Sequence, residues 1–290
     1  MNKNLTVTLA IATTLCLVLA AGCTGTPGTS SICPSPASQA DLLTYPAVNI
    51  NATPIQYKEV NGVKLAYREF GSGEPLLMIT GFGNTMNSWN ETFIGILASK
   101  YHVYIYDPRG MGYSSYTNTT PPSLTQYSED AAALMQALGY DSMHVYGVSM
   151  GSSTSQQLVI DHPERVRKLV LDSVTYSIRL PETRLLLALN ENISVNPSQP
   201  EGTRREAQAN LAWNGSWDKL SGIHKDVMLV EGTKDILTPD PISVRMASQI
   251  NGSWVVRFNG LPHFGSKYAP VQYGENALYF LGMNESPLGP

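Results

Sequence analysis

The sequence predicts an α/β fold, a mainly parallel β-sheet with helices on both faces. Short apolar runs alternate with segments of helical spacing from about residue 75 to residue 281. Most of these runs are apolar throughout, as in strands buried on both faces. Such alternation builds a covered parallel sheet. Residues 175–225 interrupt the alternation late in the sheet, so we expect them to form a small helical lid over the strand C-termini, where the site of such sheets lies.

The composition is that of an ordinary globular protein. The chain has 290 residues, 42% of them apolar, and a formal net charge of −4 with both signs interspersed. This length suits one large domain or two small ones, and no period of 20–50 residues indicates a repeat architecture. Because the charge forms no basic surface, we expect no nucleic-acid partner.

The first residues carry the features of an exported lipoprotein. Lys3 supplies a positive charge, an apolar run follows over residues 5–21, and small residues precede Cys23. This order is typical of a signal peptide, assigned to residues 1–22. It resembles a prokaryotic lipoprotein signal, in which Cys23 is lipid-modified and becomes the new N-terminus. We therefore expect export to the cell surface or the outer face of a membrane, with a lipid anchor or as a secreted protein.

Residues 24–54 are rich in Thr, Ser, Gly and Pro and carry almost no charge. Such a segment buries too little apolar surface to offset the entropy lost on ordering, so we expect a flexible tether. Cys33 is the one cysteine left outside the signal and the lipid site, and it predicts no intrachain disulfide. The folded domain is expected over residues 55–285.

The folded region begins with a predicted β-hairpin around Asn61-Gly62, a pair that suits a positive-φ turn. Later apolar runs predict buried strands, and segments of helical spacing that stop at Gly or Pro predict helices. The strands are predicted at residues 57–60, 63–70, 75–80, 101–107, 142–148, 166–172, 227–231 and 254–258. The helices are predicted at residues 125–138, 150–162, 241–250 and 271–281, with two more inside the lid at 185–189 and 204–213.

One strand ends in a Gly-x-Ser-x-Gly motif, Gly147-Val-Ser149-Met-Gly151, and helix-forming residues follow at once. This context predicts a tight strand–turn–helix with the serine at the turn. The hydroxyl is then exposed beside a helix N-terminus, where backbone dipoles favour developing negative charge. Ser149 is therefore the candidate nucleophile.

A serine nucleophile needs a histidine base and an acid that orients the base. Of five histidines, only His263 lies in the loop after the last strand, level with the serine. Asp235 follows the strand after the lid and is the favoured acid because it lies past the strand's end. Asp172, which ends the strand before the lid, is the rival because its loop meets the same edge. Asp107 is interpreted as a structural charge beside Arg109 that orders its loop.

From about residue 57 to residue 283 the sequence resembles the α/β-hydrolase superfamily, most closely its capped esterase, enol-lactonase and cofactor-free haloperoxidase-like group. The chain order Ser149, Asp235, His263 is that of the superfamily's triad. The other motifs in their expected places are Gly81-Phe82-Gly83, Asp107-x-Arg109-Gly110-x-Gly112-x-Ser114 and Gly232-Thr-x-Asp235.

The resemblance implies a serine hydrolase that cleaves a carboxylic ester, a lactone or a related acyl bond of a small-molecule substrate. The backbone N–H groups of Phe82 and Met150 would form the oxyanion hole. No metal or organic cofactor is implied. Thr80 departs from the family, which usually has His before the oxyanion glycine, and this affects support of the loop more than the chemistry.

Two alternatives stay open. A prolyl-type serine aminopeptidase would need a lid carboxylate to hold the substrate amine; Glu191, Glu201 and Glu206 are available, although we expect all three to be exposed surface acids. A catalytically silent surface lipoprotein could bind a ligand with the same fold. Comparing the hydrolysis of aminoacyl-arylamides with that of acyl esters would test the first alternative. Covalent labelling of Ser149 by a fluorophosphonate would test the second.

Overall fold

The computed structural model describes residues 44–116 and 121–283. Their strands are β1 (Gln56–Val60), β2 (Val63–Phe70), β3 (Glu74–Ile79), β4 (Tyr101–Tyr106), β5 (Met143–Val148), β6 (Val166–Asp172), β7 (Asp226–Gly232) and β8 (Trp254–Phe258). Their helices are α1 (Glu91–Ala98), α2 (Leu124–Ala137), α3 (Met150–Asp161), α4 (Arg184–Val195), α5 (Glu201–Ala212), α6 (Pro241–Ala247) and α7 (Pro270–Gly282).

The strands form one eight-stranded sheet in the order β1-β2-β4-β3-β5-β6-β7-β8. β2 runs antiparallel to both β1 and β4, and the strands β4, β3, β5, β6, β7 and β8 run parallel to one another. The loops that follow β3, β5, β6, β7 and β8 therefore meet at one edge of the sheet. This is the edge at which parallel α/β sheets place their sites, and the predicted fold class is confirmed.

Helices cover both faces of the sheet, which explains why its central strands are apolar at successive positions. In β3, Leu76 and Met78 join the core beneath α1 and α7. Leu77 and Ile79 point the other way, into the core beneath α2, α3 and α6. Alternate side chains thus fill two cores, so a polar residue at either set of positions would be buried without water.

One helix, α1, has no counterpart among the predicted elements. Its sequence, Glu91–Ala98, is a short apolar run in which five successive positions from Ile94 to Ala98 are fully or almost fully buried. Periodicity does not distinguish a buried helix from a buried strand in so short a run. The helix was therefore decided by packing between β4 and α7 rather than by a visible pattern.

The N-terminal boundary of the folded region differs from the predicted tether of residues 24–54. Ile50 is only 1% exposed, and its backbone N–H donates to Glu91 Oε1 at 2.8 Å. Arg68 Nε donates to the carbonyl of Thr53 at 2.7 Å. Residues 44–54 are therefore part of the packed domain, because a buried isoleucine stabilises what composition alone predicts to be flexible.

The predicted signal peptide, residues 1–22, lies outside the described residues, as do Cys23 and most of the predicted tether. Within residues 44–116 and 121–283, no helix combines the length and the apolar character that crossing a membrane requires.

The predicted lid lies between β6 and β7 and is built mainly from α4 and α5, which are longer than the sequence indicated. It is joined to α3, the helix that follows the sharp strand-to-helix turn, or elbow, at Ser149; α3 is therefore the elbow helix. Trp213 Nε1 donates to Gln157 Oε1 at 3.1 Å, and Ser216 Oγ donates to Gln156 Oε1 at 2.5 Å. These two amide side chains hold the lid against the elbow helix.

Candidate active site

Ser149 occupies the turn between β5 and α3 in a conformation that L-residues rarely adopt, with φ 54° and ψ −119°. Such strain persists only where the surrounding structure enforces it. The flanking glycines make the turn possible. A methyl group on Gly147 would lie 2.4 Å from the Gly151 carbonyl oxygen, and one on Gly151 would lie 2.1 Å from the Ile79 carbonyl oxygen. Glycine is thus required at both positions for β3, β5 and α3 to pack so closely.

The structure brings Ser149, His263 and Asp235 together from three different loops. His263 Nε2 lies 2.8 Å from Ser149 Oγ, and His263 Nδ1 lies 2.6 Å from Asp235 Oδ2. Both distances are those of good hydrogen bonds. The imidazole is 20% exposed, whereas the carboxylate is fully buried. A hydroxyl, an imidazole and a carboxylate in this series can activate the hydroxyl as a nucleophile.

The carboxylate of Asp235 is held in place by its own loop. Its Oδ1 accepts from the N–H groups of Leu237 and Thr238 at 2.8 and 2.9 Å, and its Oδ2 accepts from Thr238 Oγ1 at 2.9 Å. Burial by itself would raise the pKa of Asp235, but the hydrogen bond and charge of His263 and these backbone donors lower it below its usual range. Thr238 was not predicted to be a site residue. The sequence signal for it is a hydroxyl side chain three residues after the candidate acid.

The rival acid, Asp172, does not bond His263 but supports the loop that carries it. Three hydroxyl groups donate to its buried carboxyl, those of Tyr146, Ser173 and Ser266. Burial raises the pKa of Asp172 to about 6 in spite of these donors. Ser173, at φ 53°, in turn accepts from the N–H of Phe264, next to the histidine.

Asp107 orders its loop, as predicted. Its two carboxyl oxygens accept from the backbone N–H groups of Met86 at 2.7 Å and Tyr113 at 2.8 Å. Arg109, however, does not pair with this carboxyl; it forms a buried bidentate ion pair with Asp130 of α2. The motif therefore ties the loop after β4 to two other segments.

Three other histidines are paired with glutamates on other parts of the sheet and helices. His102 contacts Glu69, and the two further pairs are His144 with Glu74 and His162 with Glu129. Across residues 44–116 and 121–283, His, Cys, Asp and Glu side chains form no group of three or more that could hold a metal ion.

The predicted oxyanion turn, residues 81–84, follows β3 and lies against the serine. A methyl group on Gly81 would be 3.1 Å from Ser149 Cβ. Asn84 closes the turn, because its N–H donates to the Gly81 carbonyl at 3.1 Å and its amide donates to the Phe82 carbonyl at 3.1 Å. Met150, the second predicted donor, is the first residue of α3. One predicted donor thus follows Ser149 directly in the chain, and the other belongs to the turn that packs against it.

Glu206 corrects the expectation that the lid acids are on the surface. Glu191 and Glu201 are exposed, but Glu206 is 1% exposed and its Oε2 accepts from the N–H of Gly83 at 2.6 Å. Burial raises the pKa of Glu206 to about 8, although the bond from Gly83 lowers it. The sequence signal for this burial is the pair of alanines that follow Glu206 on α5, because Ala207 and Ala209 are buried as well.

An apolar cluster lies between the lid and the elbow helix. It includes the predicted oxyanion residues Phe82 and Met150, and its other members are Leu124, Tyr127, Ala209 and Trp213. Apolar side chains from α2, α3 and α5 thus converge beside Ser149.

Residues 74–190 match the family model described as the alpha/beta hydrolase fold. A protein of Azorhizobium caulinodans named as a carbamate hydrolase, RutD, is 26% identical over 262 residues, which cover 78% of this chain and 98% of that protein. A pimeloyl-[acyl-carrier protein] methyl ester esterase of Aeromonas hydrophila is 30% identical over 108 residues, 37% of this chain and 41% of that protein. Several curated relatives, including this esterase, match over less than half of their own length.

Solved structures share the architecture. The enol-lactonase from Burkholderia xenovorans LB400 superposes with a TM-score of 0.67 at 20% identity and covers 79% of this chain and 100% of its own. A thermophilic esterase from Thermogutta terrifontis gives a TM-score of 0.69 at 19% identity, covering 78% of this chain and 96% of its own. At these identities the likeness concerns the fold.

Proposed function

The chain is a member of the α/β-hydrolase superfamily and a hydrolase, and on that premise we propose that it cleaves an acyl bond by a serine mechanism. The observation that carries the proposal is the continuous hydrogen-bonded series from Ser149 Oγ through the two ring nitrogens of His263 to Asp235 Oδ2. The proposed substrate is a carboxylic ester, a lactone or a related small acyl compound.

In the proposed reaction, Ser149 Oγ attacks the acyl carbonyl while His263 Nε2 takes the hydroxyl proton. Asp235 holds the imidazole by its Nδ1–H and stabilises the imidazolium that forms. The negative charge on the carbonyl oxygen is received by the N–H groups of Phe82 and Met150. Collapse of the tetrahedral intermediate transfers the proton from His263 to the leaving group and leaves an acyl-enzyme.

Water then completes the cycle. His263 is partly open to solvent, so a water molecule can reach the ring nitrogen that the leaving group has vacated. The imidazole takes a proton from that water, the hydroxide attacks the acyl carbonyl, and Ser149 Oγ recovers its proton as the acid departs. Two easier steps thus replace one difficult hydrolysis.

The ester class is supported by the apolar side chains packed between the lid and the nucleophile turn, whose character suits an acyl chain. It is also supported by the names of similar proteins, which include a methyl ester esterase and an enol-lactonase. The lid contributes Ala209 and Trp213 to this cluster. We therefore expect the lid to select acyl groups by length and shape.

The test is a panel of acyl esters of increasing chain length, with fluorophosphonate labelling of the protein lacking its signal peptide. Ser149→Ala should lower turnover by about 10⁶-fold and abolish the label without changing the fold. Ser153→Ala, a buried serine in the next turn of α3, is the matched control and should keep both. Turnover that survives in Ser149→Ala would refute the proposed mechanism, and absence of label would favour a silent ligand-binding protein.

A second candidate, a prolyl-type serine aminopeptidase, is favoured by one observation, the buried carboxyl group of Glu206 beside the oxyanion turn. An ionised Glu206 could pair with a substrate ammonium group. Proline arylamides should then be hydrolysed faster than acyl esters, and Glu206→Gln should abolish that preference. Faster hydrolysis of the esters would exclude this candidate.

We also infer that the protein is exported and anchored through a lipid on Cys23, from the charge, apolar run and small residues that precede it. A wild-type chain should sediment with membranes and incorporate labelled fatty acid, and Cys23→Ser should lose both properties. Soluble wild-type protein without incorporated lipid would indicate a secreted enzyme instead.

A further inference from the structure

Glu206 is a buried acid that the proposed hydrolysis does not use. It belongs to lid helix α5, yet its side chain enters the body of the domain and is 1% exposed. Its Oε2 accepts from the backbone N–H of Gly83 at 2.6 Å, the one lid-to-turn hydrogen bond among those of the described residues. A side chain of the lid therefore holds the segment that follows β3.

The contact matters because of its place in the oxyanion turn. The Gly83 N–H belongs to the peptide that joins Phe82 to Gly83, and Phe82 N–H is the proposed oxyanion donor. Gly83 has φ +70°, and a methyl group there would meet Thr203 of α5 at 3.5 Å. Fixing one peptide of a four-residue turn restricts the neighbouring peptide as well, so Glu206 helps to aim the Phe82 N–H before any substrate arrives.

Two polar groups near Glu206 lack hydrogen-bond partners among the described residues. A cavity of about 10 Å³ adjoins its carboxyl group, the oxyanion residue Met150 and Thr154, enough for about one water molecule. Thr80 Oγ1 and Tyr127 OH are buried there, and neither has a partner among the described residues. A water in this cavity would find three polar groups.

The charges around this carboxyl group do not neutralise an anion. Within residues 44–116 and 121–283 Glu206 forms no ion pair. The titratable groups that face it are the phenols of Tyr106 on β4 and Tyr127 on α2. Arg109 and Asp130, whose charges act on Tyr127 as well, are already matched with each other. On α5 itself, Arg205 pairs with exposed Glu201, and Arg204 Nε has no partner in the part of the chain that is described.

This environment favours the neutral acid. Burial raises the pKa of Glu206 to about 8, because removing a carboxylate from water without a cation is unfavourable. A proton on the carboxyl group also supplies a donor for the cavity, while Oε2 keeps its bond from Gly83. A carboxylate at this position would instead place negative charge beside the site where an oxyanion must form.

We propose that Glu206 is a positioning residue for the proposed hydrolysis, which from the lid and as a neutral acid holds the oxyanion turn in its active arrangement. The inference rests on the proposed function. Ionisation of Glu206 opposes the oxyanion, and loss of its side chain frees the Phe82–Gly83 peptide. The lid is thereby coupled to the oxyanion hole through one side chain.

The test compares Glu206→Gln, Glu206→Ala and the control Glu201→Gln, an exposed position on the same helix. With a short acyl ester, wild-type kcat should fall about tenfold per pH unit above pH 8, because the ionised form is inactive. Glu206→Gln, which keeps an acceptor for Gly83 and never ionises, should keep its kcat to higher pH. Glu206→Ala should lose about tenfold or more in kcat at every pH with a smaller change in KM, and Glu201→Gln should behave as wild type.

An alkaline fall in kcat that is unchanged in Glu206→Gln would overturn the proposal, as would a kcat within twofold of wild type in Glu206→Ala. If the alanine variant does not fold, Glu206→Gln alone decides between these outcomes.

A second measurement needs no turnover. Amide hydrogen exchange of residues 81–84, in a Ser149→Ala background, should be faster with Glu206→Ala and unchanged with Glu206→Gln. Equal exchange in all variants would contradict the positioning role. Missing fluorophosphonate label on Ser149 in the wild type would refute the proposed function itself, so the two failures are distinguishable.

Discussion

At the scale of single residues, two buried aspartates, one at the end of β6 and one just after β7, support the histidine in different ways. Asp235 accepts directly from His263, whereas Asp172 accepts from three hydroxyl groups around the histidine loop. The first can hold the imidazole tautomer, and the second can only hold the loop.

We therefore expect Asp235→Asn to lower kcat by about 10³–10⁴-fold with little change in KM, because an amide stabilises the wrong tautomer. Asp172→Asn should lower the free energy of unfolding by about 1–3 kcal/mol and kcat by much less. Steady-state kinetics and urea unfolding of both variants check this. An equal loss of kcat in Asp172→Asn would make it the triad acid.

At the scale of elements, the elbow depends on the contact between the first turn of α3 and the end of β3. A methyl group on Gly151 would lie 2.1 Å from the carbonyl oxygen of Ile79 and 2.6 Å from that of Thr80. Both are backbone atoms, so the clash can be relieved only by moving the helix away from the sheet.

Gly151→Ala should therefore destabilise the protein by at least about 2 kcal/mol, which is about 4–8 °C in Tm. Gly222→Ala is the matched control, because a methyl group there has nothing within 4 Å and should change stability by less than about 0.5 kcal/mol. Thermal unfolding followed by circular dichroism measures both. Similar Tm values for the two variants would contradict the close packing at the elbow.

At the scale of the whole molecule, the folded domain begins before its first strand. Ile50 is buried, and the segment around it is bonded to Glu91 and Arg68. A side chain of this kind contributes about 1.5–3 kcal/mol when buried, so residues 44–54 should stabilise the domain.

Chains that begin at Thr24 and at Thr44 should have the same Tm within about 1 °C, because the composition of residues 24–43 predicts no packing. A chain that begins at Ile55 should unfold at least about 4 °C lower, from the loss of Ile50. Calorimetry of the three purified chains measures this, and a stable Ile55 chain would return the boundary to residue 55.

The buried acids also give the whole molecule a pH dependence. Burial raises the pKa of Asp172 to about 6, that of Glu206 to about 8 and that of Glu231 well above its usual range. A raised folded-state pKa contributes stability that is complete below the unfolded value of about 4 and is lost as pH rises through the folded value.

The free energy of unfolding should therefore fall between about pH 4 and pH 8, by about 1.4 kcal/mol per pH unit for each of these carboxyl groups while it stays protonated in the folded chain and is ionised in the unfolded one. Urea unfolding at four pH values measures the slope, and Glu206→Gln should make it shallower below pH 8. A constant or rising free energy would show that these acids are already ionised at pH 6.

Much of the fold was predictable because the relevant signals are local. Apolar runs with turns between them determined the order of strands and helices. The Gly-x-Ser-x-Gly motif placed Ser149 at a tight turn that needs glycine on both sides of the serine. The chain order of Asp235 and His263 then predicted which loops would meet it, since the carboxyl ends of parallel strands share one edge.

Only the tertiary structure decided the contacts between segments that are far apart in the sequence. These include the bond of Asp235 rather than Asp172 to His263, the burial of Ile50 against α1, and the entry of Glu206 beneath the lid. The environment of a side chain depends on which distant elements pack around it, so a lid acid expected at the surface became the one beside the oxyanion turn. Sequence thus determined the order of the chemical groups, and packing determined their distances and charge states.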